Sequence, residues 1–192
     1  MALFTDSSLN PKNKAGVGAC LIVSGSFLDR PPSDVKAFEL AGLLKVKRFE
    51  ETSSAALEIR TVLWAIEEYK KEFQLSGTEK LQVYSDSKCV SDLLKRRPGL
   101  EAKGFLSGST NRPLKNAALY RKFYKFHDEL AFEVIKVKGH SPSSSRNTVE
   151  RIFSFVDKET RKELRLWMEE LKKPGRFEAK SSDCHYLLIP LY

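Results

Sequence analysis

The sequence predicts an α/β layer fold in which helices cover a mixed sheet, and three observations carry that reading. A β-rich pair of segments opens the chain, the apolar period changes to that of a helix at Ser53, and from Leu81 onward short strand-like runs alternate with helical ones. Leu3 to Asp6 and Ala15 to Val23 read as a hairpin, because Ser-Ser-Leu-Asn-Pro-Lys-Asn-Lys between them is turn chemistry. Ser24 to Asp34, with Gly25, Pro31 and Pro32, reads as a loop. Phe38 to Phe49 alternates as one or two strands do, although Leu40 to Leu44 equally suits a helical turn.

Leu57, Ile59, Val62, Leu63, Ile66, Tyr69 and Phe73 recur at helical spacing, with Ser53 or Ser54 placed to cap the start and Ser76-Gly77 to end it. Leu81 to Asp86 reads as a short strand and Ser87 to Lys95 as the start of a helix. Arg97 to Pro113 reads as a basic excursion containing Gly, Pro and Ser. A helix follows over Asn116 to Leu130, then a strand over Phe132 to Val137 and a loop over Gly139 to Arg146. The last helix opens at Asn147, where Asn147 and Glu150 fit a capping box, and runs to about Leu171.

Length and composition fit this layout. The chain has 192 residues, 41% hydrophobic and 30% charged, enough for one well-filled core of the usual size of about 150 residues. We expect one domain over 1–172 and an extended C-terminal extension over 173–192 packed on it. The longest apolar runs, such as Ala19 to Val23 and Tyr186 to Leu191, fall far short of the roughly 20 residues of a membrane span, so no membrane partner is expected. An acidic residue at position 6, with no basic or apolar leader, predicts a cytoplasmic protein. Cys20, Cys89 and Cys184 are odd in number and far apart, which suits incidental thiols better than disulfides or zinc.

Charge points to a partner. The formal net charge is +8, and the stretch from Lys88 to Lys125 alone holds ten Lys or Arg against two acids. A basic stripe on an otherwise balanced chain is the footprint expected for a polyanion, most often nucleic acid.

Two segments share one pattern: Leu3-Phe4-Thr5-Asp6-Ser7 and Val83-Tyr84-Ser85-Asp86-Ser87. Each places an Asp where an apolar strand meets a polar turn, the position at which α/β sheets gather their ligand-binding groups. Glu58 falls on the arc of its helix that faces the sheet, in line with Val62 and Ala65, and Asp157 falls in line with Phe153, Thr160 and Leu164. Four carboxylates without a Cys or His cluster describe a site for hard cations such as Mg²⁺ or Mn²⁺. Beside a basic stripe, such a site indicates two-metal phosphodiester chemistry. His140, in the loop Val137-Lys138-Gly139-His140-Ser141, is placed to accept or relay a proton. His127 and His185 read as structural.

The ordered motifs Phe-Thr-Asp-Ser-Ser, the helix start from Ser53 to Glu58, Val-Tyr-Ser-Asp-Ser and Val-Lys-Gly-His-Ser resemble those of type 1 ribonuclease H over about residues 2 to 168. Pro113-Leu114-Lys115-Asn116, with the helix at Leu119-Tyr120, resembles the element that follows the family's basic handle. The resemblance implies the ribonuclease H-like fold, a mixed five-stranded sheet flanked by helices on both faces. It also implies hydrolysis of the RNA strand of RNA–DNA hybrids with two Mg²⁺ ions, Mn²⁺ being a substitute. By position, Asp6, Glu58, Asp86 and Asp157 are the implied metal-binding acids and His140 the loop histidine. Ser8, Ser53, Ser54, Lys88, Lys95, Arg96, Arg97, Lys103, Lys115 and Asn116 are the implied contacts to the nucleic acid. We expect a monomer that uses no small-molecule cofactor.

Some positions depart from the family pattern. Ser7 stands where Gly is frequent, and Ser53, Ser54, Ala55 and Lys88 are a reduced set for reading 2′-hydroxyls. The handle lacks Trp, so charge outweighs stacking there. Seventeen positions separate His140 from Asp157, a long spacing that makes Glu150 a rival fourth ligand; its place in the capping box and the Val156-Asp157-Lys158 motif favour Asp157. Two competing readings remain: a related polynucleotidyl transferase or nuclease acting on DNA, and a catalytically silent hybrid-binding module.

Overall fold

The computed structural model describes residues 1–73, 80–138 and 145–173. A nine-residue strand β1 (Ala2–Asn10) turns back into β2 (Ala15–Val23), and after a short helix α1 (Ala37–Leu43) comes β3 (Leu44–Phe49). The long helix α2 (Ser54–Glu72) leads to β4 (Gln82–Ser85), the single turn α3 (Lys88–Ser91), α4 (Leu93–Ala102), α5 (Ala117–Leu130), β5 (Glu133–Lys136) and α6 (Thr148–Lys172). The five strands form one sheet in the order β3-β2-β1-β4-β5. β1, β2 and β3 pair antiparallel, whereas β1, β4 and β5 run parallel, so the sheet is mixed as expected.

The period of two along β1 divides the core. Leu3 and Val83 point to a layer filled by Leu57, Val62 and Ile66 of α2 and by Phe123 of α5. Phe4 and Tyr84 point to the opposite layer, where Ile152, Phe153 and Val156 of α6 and Leu40 of α1 meet them. Helices therefore cover both faces. α2 lies close on β2: a Cβ on Gly18 would stand 2.2 Å from Thr61 Oγ1 and 2.9 Å from the Phe49 ring, so a side chain there would push the helix off the sheet. Edge strand β3 is tied to the same helix by Lys45, which donates to buried Glu68 at 3.1 Å and contacts Glu72. Among the described residues, no helix is long and apolar enough to cross a membrane.

Several expectations are corrected. The first turn is narrower, because Ser7, Ser8 and Leu9 pair with Gly18, Val17 and Gly16 and extend β1 to Asn10. The Asn10 side chain then caps the turn by accepting from the backbone of Lys12 and Asn13. Ala37 to Leu43 is helical with Leu40 inward, which leaves only Leu44 to Phe49 as strand. Ser53 occupies the position before α2, but neither it nor Ser54 caps the helix through its side chain. Most of the first half of the basic excursion is helix: α4 runs through Pro98 to Ala102, held by buried Leu93 and by Tyr124 Oη, which donates to the Leu93 carbonyl at 2.9 Å. The capping box is present, with both bonds between Asn147 and Glu150 formed at 2.9 and 3.0 Å. The end of α2 at Ser76-Gly77 and the C-terminal extension beyond Lys173 lie outside the described residues.

Candidate active site

The matching motifs are neighbours. β1 and β4 run parallel with Leu3 opposite Val83 and Phe4 opposite Tyr84, whose rings stack at 4.7 Å. Continuing that register by two residues brings Asp6 and Asp86 to the same level, where β4 ends. Both then line one cleft of about 280 Å³ with Glu58 from the first turns of α2 and Asp157 from α6. Thr5, Ser7, Ser8, Ser85, Ser87, Thr61 and Arg161 complete most of its wall, a surface of oxygen donors with one guanidinium.

Asp6 is the most perturbed of the acids. Burial first, then the charges of Asp86 and Asp157, push its carboxyl up from 3.8 to about 7, against smaller opposing effects of the Ser7 backbone N–H and Arg161. Glu58 is fixed by two hydroxyls: Ser87 Oγ donates to one carboxylate oxygen at 2.6 Å and Ser54 Oγ to the other at 3.3 Å. Ser87 in turn accepts from the Val90 N–H, so the residue that caps α3 also orients the acid of α2. Asp157 is paired with Arg161 one helical turn along α6, at 2.7 Å.

Among the described residues the donor set is entirely oxygen and fits a hard divalent cation, and the charges of Asp86 and Asp157 add to burial in raising the Asp6 carboxyl. Among the described residues no three His, Cys, Asp or Glu side chains converge closely enough to enclose an ion, and Asp157 is engaged with Arg161.

Of the remaining expected residues, Ser8 lines the cleft, Ser54 serves Glu58, and Ser53 and Lys88 sit at the starts of α2 and α3. Glu150 is occupied in its capping box and does not line the cleft. Lys95, Arg96, Lys103 and Lys115 are exposed along and beyond α4, and Asn116 precedes α5. Arg97 differs: its guanidinium donates to Glu101 at 2.7 Å and to both oxygens of Asp128, and stacks over Tyr124 at 5.1 Å. Phe105 and Tyr120 are buried under Arg121 and Arg96, so this segment presents charge to solvent and not rings. His140 falls outside the described residues. The sequence reading gave no site role to Ser87, Thr61 or Arg161. The Asp-Ser repeat and the four-residue spacing from Asp157 to Arg161 were the available signals for Ser87 and Arg161. None existed for Thr61, whose buried Oγ1 has no hydrogen-bond partner among the described residues.

The sequence model of the RNase H family matches residues 1–165. No functionally curated protein matches the sequence. Among solved structures, the chain is similar to the PFV RNase H domain in solution, at 17% identity and a TM-score of 0.53, over 83% of this chain and 92% of that one. It is also similar to the Prototype Foamy Virus protease-reverse transcriptase, at 15% identity and a TM-score of 0.57, over 84% of this chain and 20% of that one. A foamy viral protease-reverse transcriptase in complex with RNA/DNA hybrid matches at 15% identity and a TM-score of 0.52, over 84% and 19%. The chain thus spans about a fifth of the length of those two proteins, and at these identities the likeness speaks for the fold.

Proposed function

The chain belongs to the RNase H family, and from that premise we propose that it is an endonuclease hydrolysing the RNA strand of RNA–DNA hybrids at the four-carboxylate cleft. The observation that carries the reading is the arrival of Asp6, Glu58, Asp86 and Asp157, from four different parts of the chain, in one oxygen-lined cleft at the end of the central strands. Support for the substrate comes from the foamy viral structure solved with RNA/DNA hybrid and from the exposed cations that begin at Lys88, immediately after the cleft residue Ser87.

These four acids would hold two divalent ions, Mg²⁺ or Mn²⁺, which when bound activate a water for attack and stabilise the leaving oxygen. Asp6 must release its proton to serve as a ligand, so proton and divalent ion compete for its carboxyl. Ser87 and Ser54 keep Glu58 aimed into the cleft, so little reorganisation is asked of it. Lys95, Arg96 and Lys103 position the duplex through its phosphates, which carry no sequence information. The deciding experiment presents labelled hybrid, duplex DNA, duplex RNA and single-stranded RNA to the protein with and without Mg²⁺. We expect Mg²⁺-dependent scission of the RNA strand of the hybrid alone. Cleavage of duplex DNA would move the protein to DNA chemistry, and binding without cleavage would make it a silent hybrid-binding module.

A further inference from the structure

Arg161 stands in the cleft as the one cation among its described lining residues. It is not held there by burial, since its side chain is 58% exposed, but by its contact at 2.7 Å with Asp157, itself only 29% exposed. The pair lies along one face of α6 at the spacing that brings side chains together, so the helix delivers base and acid to the site as a unit. The same guanidinium offsets part of the negative charge at Asp6. Asp157 cannot give its oxygens fully to a divalent ion while Arg161 holds one of them, and no three of the described acids converge on a common point in this arrangement.

We infer that Arg161 is a built-in counter-cation of the carboxylate cleft, one that occupies Asp157 in the metal-free protein and competes with the divalent ion for it. The inference rests on the proposed reading of the acids as metal ligands. Its consequence is quantitative: the chain trades metal affinity for a folded, ordered site when metal is scarce. A positive charge that shares a carboxylate with a divalent ion costs the ion roughly three- to tenfold in affinity at physiological salt.

The test uses the full chain without nucleic acid, with Mg²⁺ alone as the probe. Calorimetric Mg²⁺ binding is measured for the wild type, Arg161→Gln and Arg161→Lys, beside thermal melts in EDTA and in saturating Mg²⁺. Expected are roughly three- to tenfold tighter Mg²⁺ binding by Arg161→Gln, near wild-type affinity for Arg161→Lys, a lower melting temperature for the Gln variant in EDTA, and a larger gain from Mg²⁺. Unchanged Mg²⁺ affinity in Arg161→Gln overturns the inference while leaving the metal site standing, and weaker binding overturns it by making Arg161 an organiser of Asp157. A wild type that takes up no Mg²⁺ overturns both this inference and the reading on which it rests.

Discussion

The carboxyl of Asp6 titrates at about 7 in the folded chain against 3.8 for an unperturbed aspartate, and that difference has a thermodynamic sign. A carboxyl that binds its proton more tightly when folded favours the native state most fully below about pH 4, and the benefit is lost as pH rises through 7. Without divalent ions the protein should therefore lose about 1–2 kcal/mol between pH 5 and pH 8 that Asp6→Asn does not lose, less than the full shift because water screens a half-buried carboxylate. Urea unfolding of both proteins in EDTA at the two pH values measures it, and equal losses would contradict the assignment. Asp6 and Asp86 were legible in the sequence because their strands are parallel neighbours in register, so one pattern is written twice. Ser87 and Arg161 were not, because their roles come from which acid each side chain meets after folding.

α6 separates two acids that the spacing from His140 left in competition. Glu150 closes the capping box at its start and Asp157 reaches the cleft two turns later. Glu150→Gln should cost no more than about 1 kcal/mol through the altered cap and keep most activity, whereas Asp157→Asn should abolish cleavage with little change in melting temperature. The reverse ranking in paired activity and melting assays would reassign the ligand. On α4, the sequence showed a run of cations but could not sort them. α4 continues through Pro98, and beside it Arg97 pairs with Asp128 of α5. Changing Lys95, Arg96 and Lys103 to Ala should flatten the salt dependence of hybrid binding by about two to three units in log K against log salt. Arg97→Ala, whose charge is already paired, should change that slope by less than about one unit. Filter binding between low and physiological salt distinguishes the two classes, and equal slopes for all variants would reduce the segment to a solubility feature. The first turn escaped the sequence for a related reason: Ser7 to Leu9 become strand only because β2 offers a partner edge.

For the molecule as a whole, a central mixed sheet covered on both faces leaves the strand ends as the place where groups from α2 and α6, on opposite sides, can meet. Fold class and the four acids were legible because layer architecture follows from the change of apolar period, Asp6 and Asp86 stand at strand ends, and Glu58 and Asp157 fall on the sheet-facing sides of their helices. The charge excess between Lys88 and Lys125 begins on α3 and α4, the elements that follow one of those ends in the chain. The central claim is that the cleft cuts hybrid through its acids and binds hybrid through its cations. Single-turnover cleavage and equilibrium binding of one labelled RNA–DNA hybrid by wild type and Asp86→Asn, in Mg²⁺, test it most directly. Asp86 is exposed and packs no core, so the variant should fold, bind hybrid within about threefold of wild type and show a cleavage rate lower by at least about 10³. An Asp86→Asn protein that cleaves at the wild-type rate, or a wild type that binds hybrid and leaves its RNA strand intact, would contradict the account.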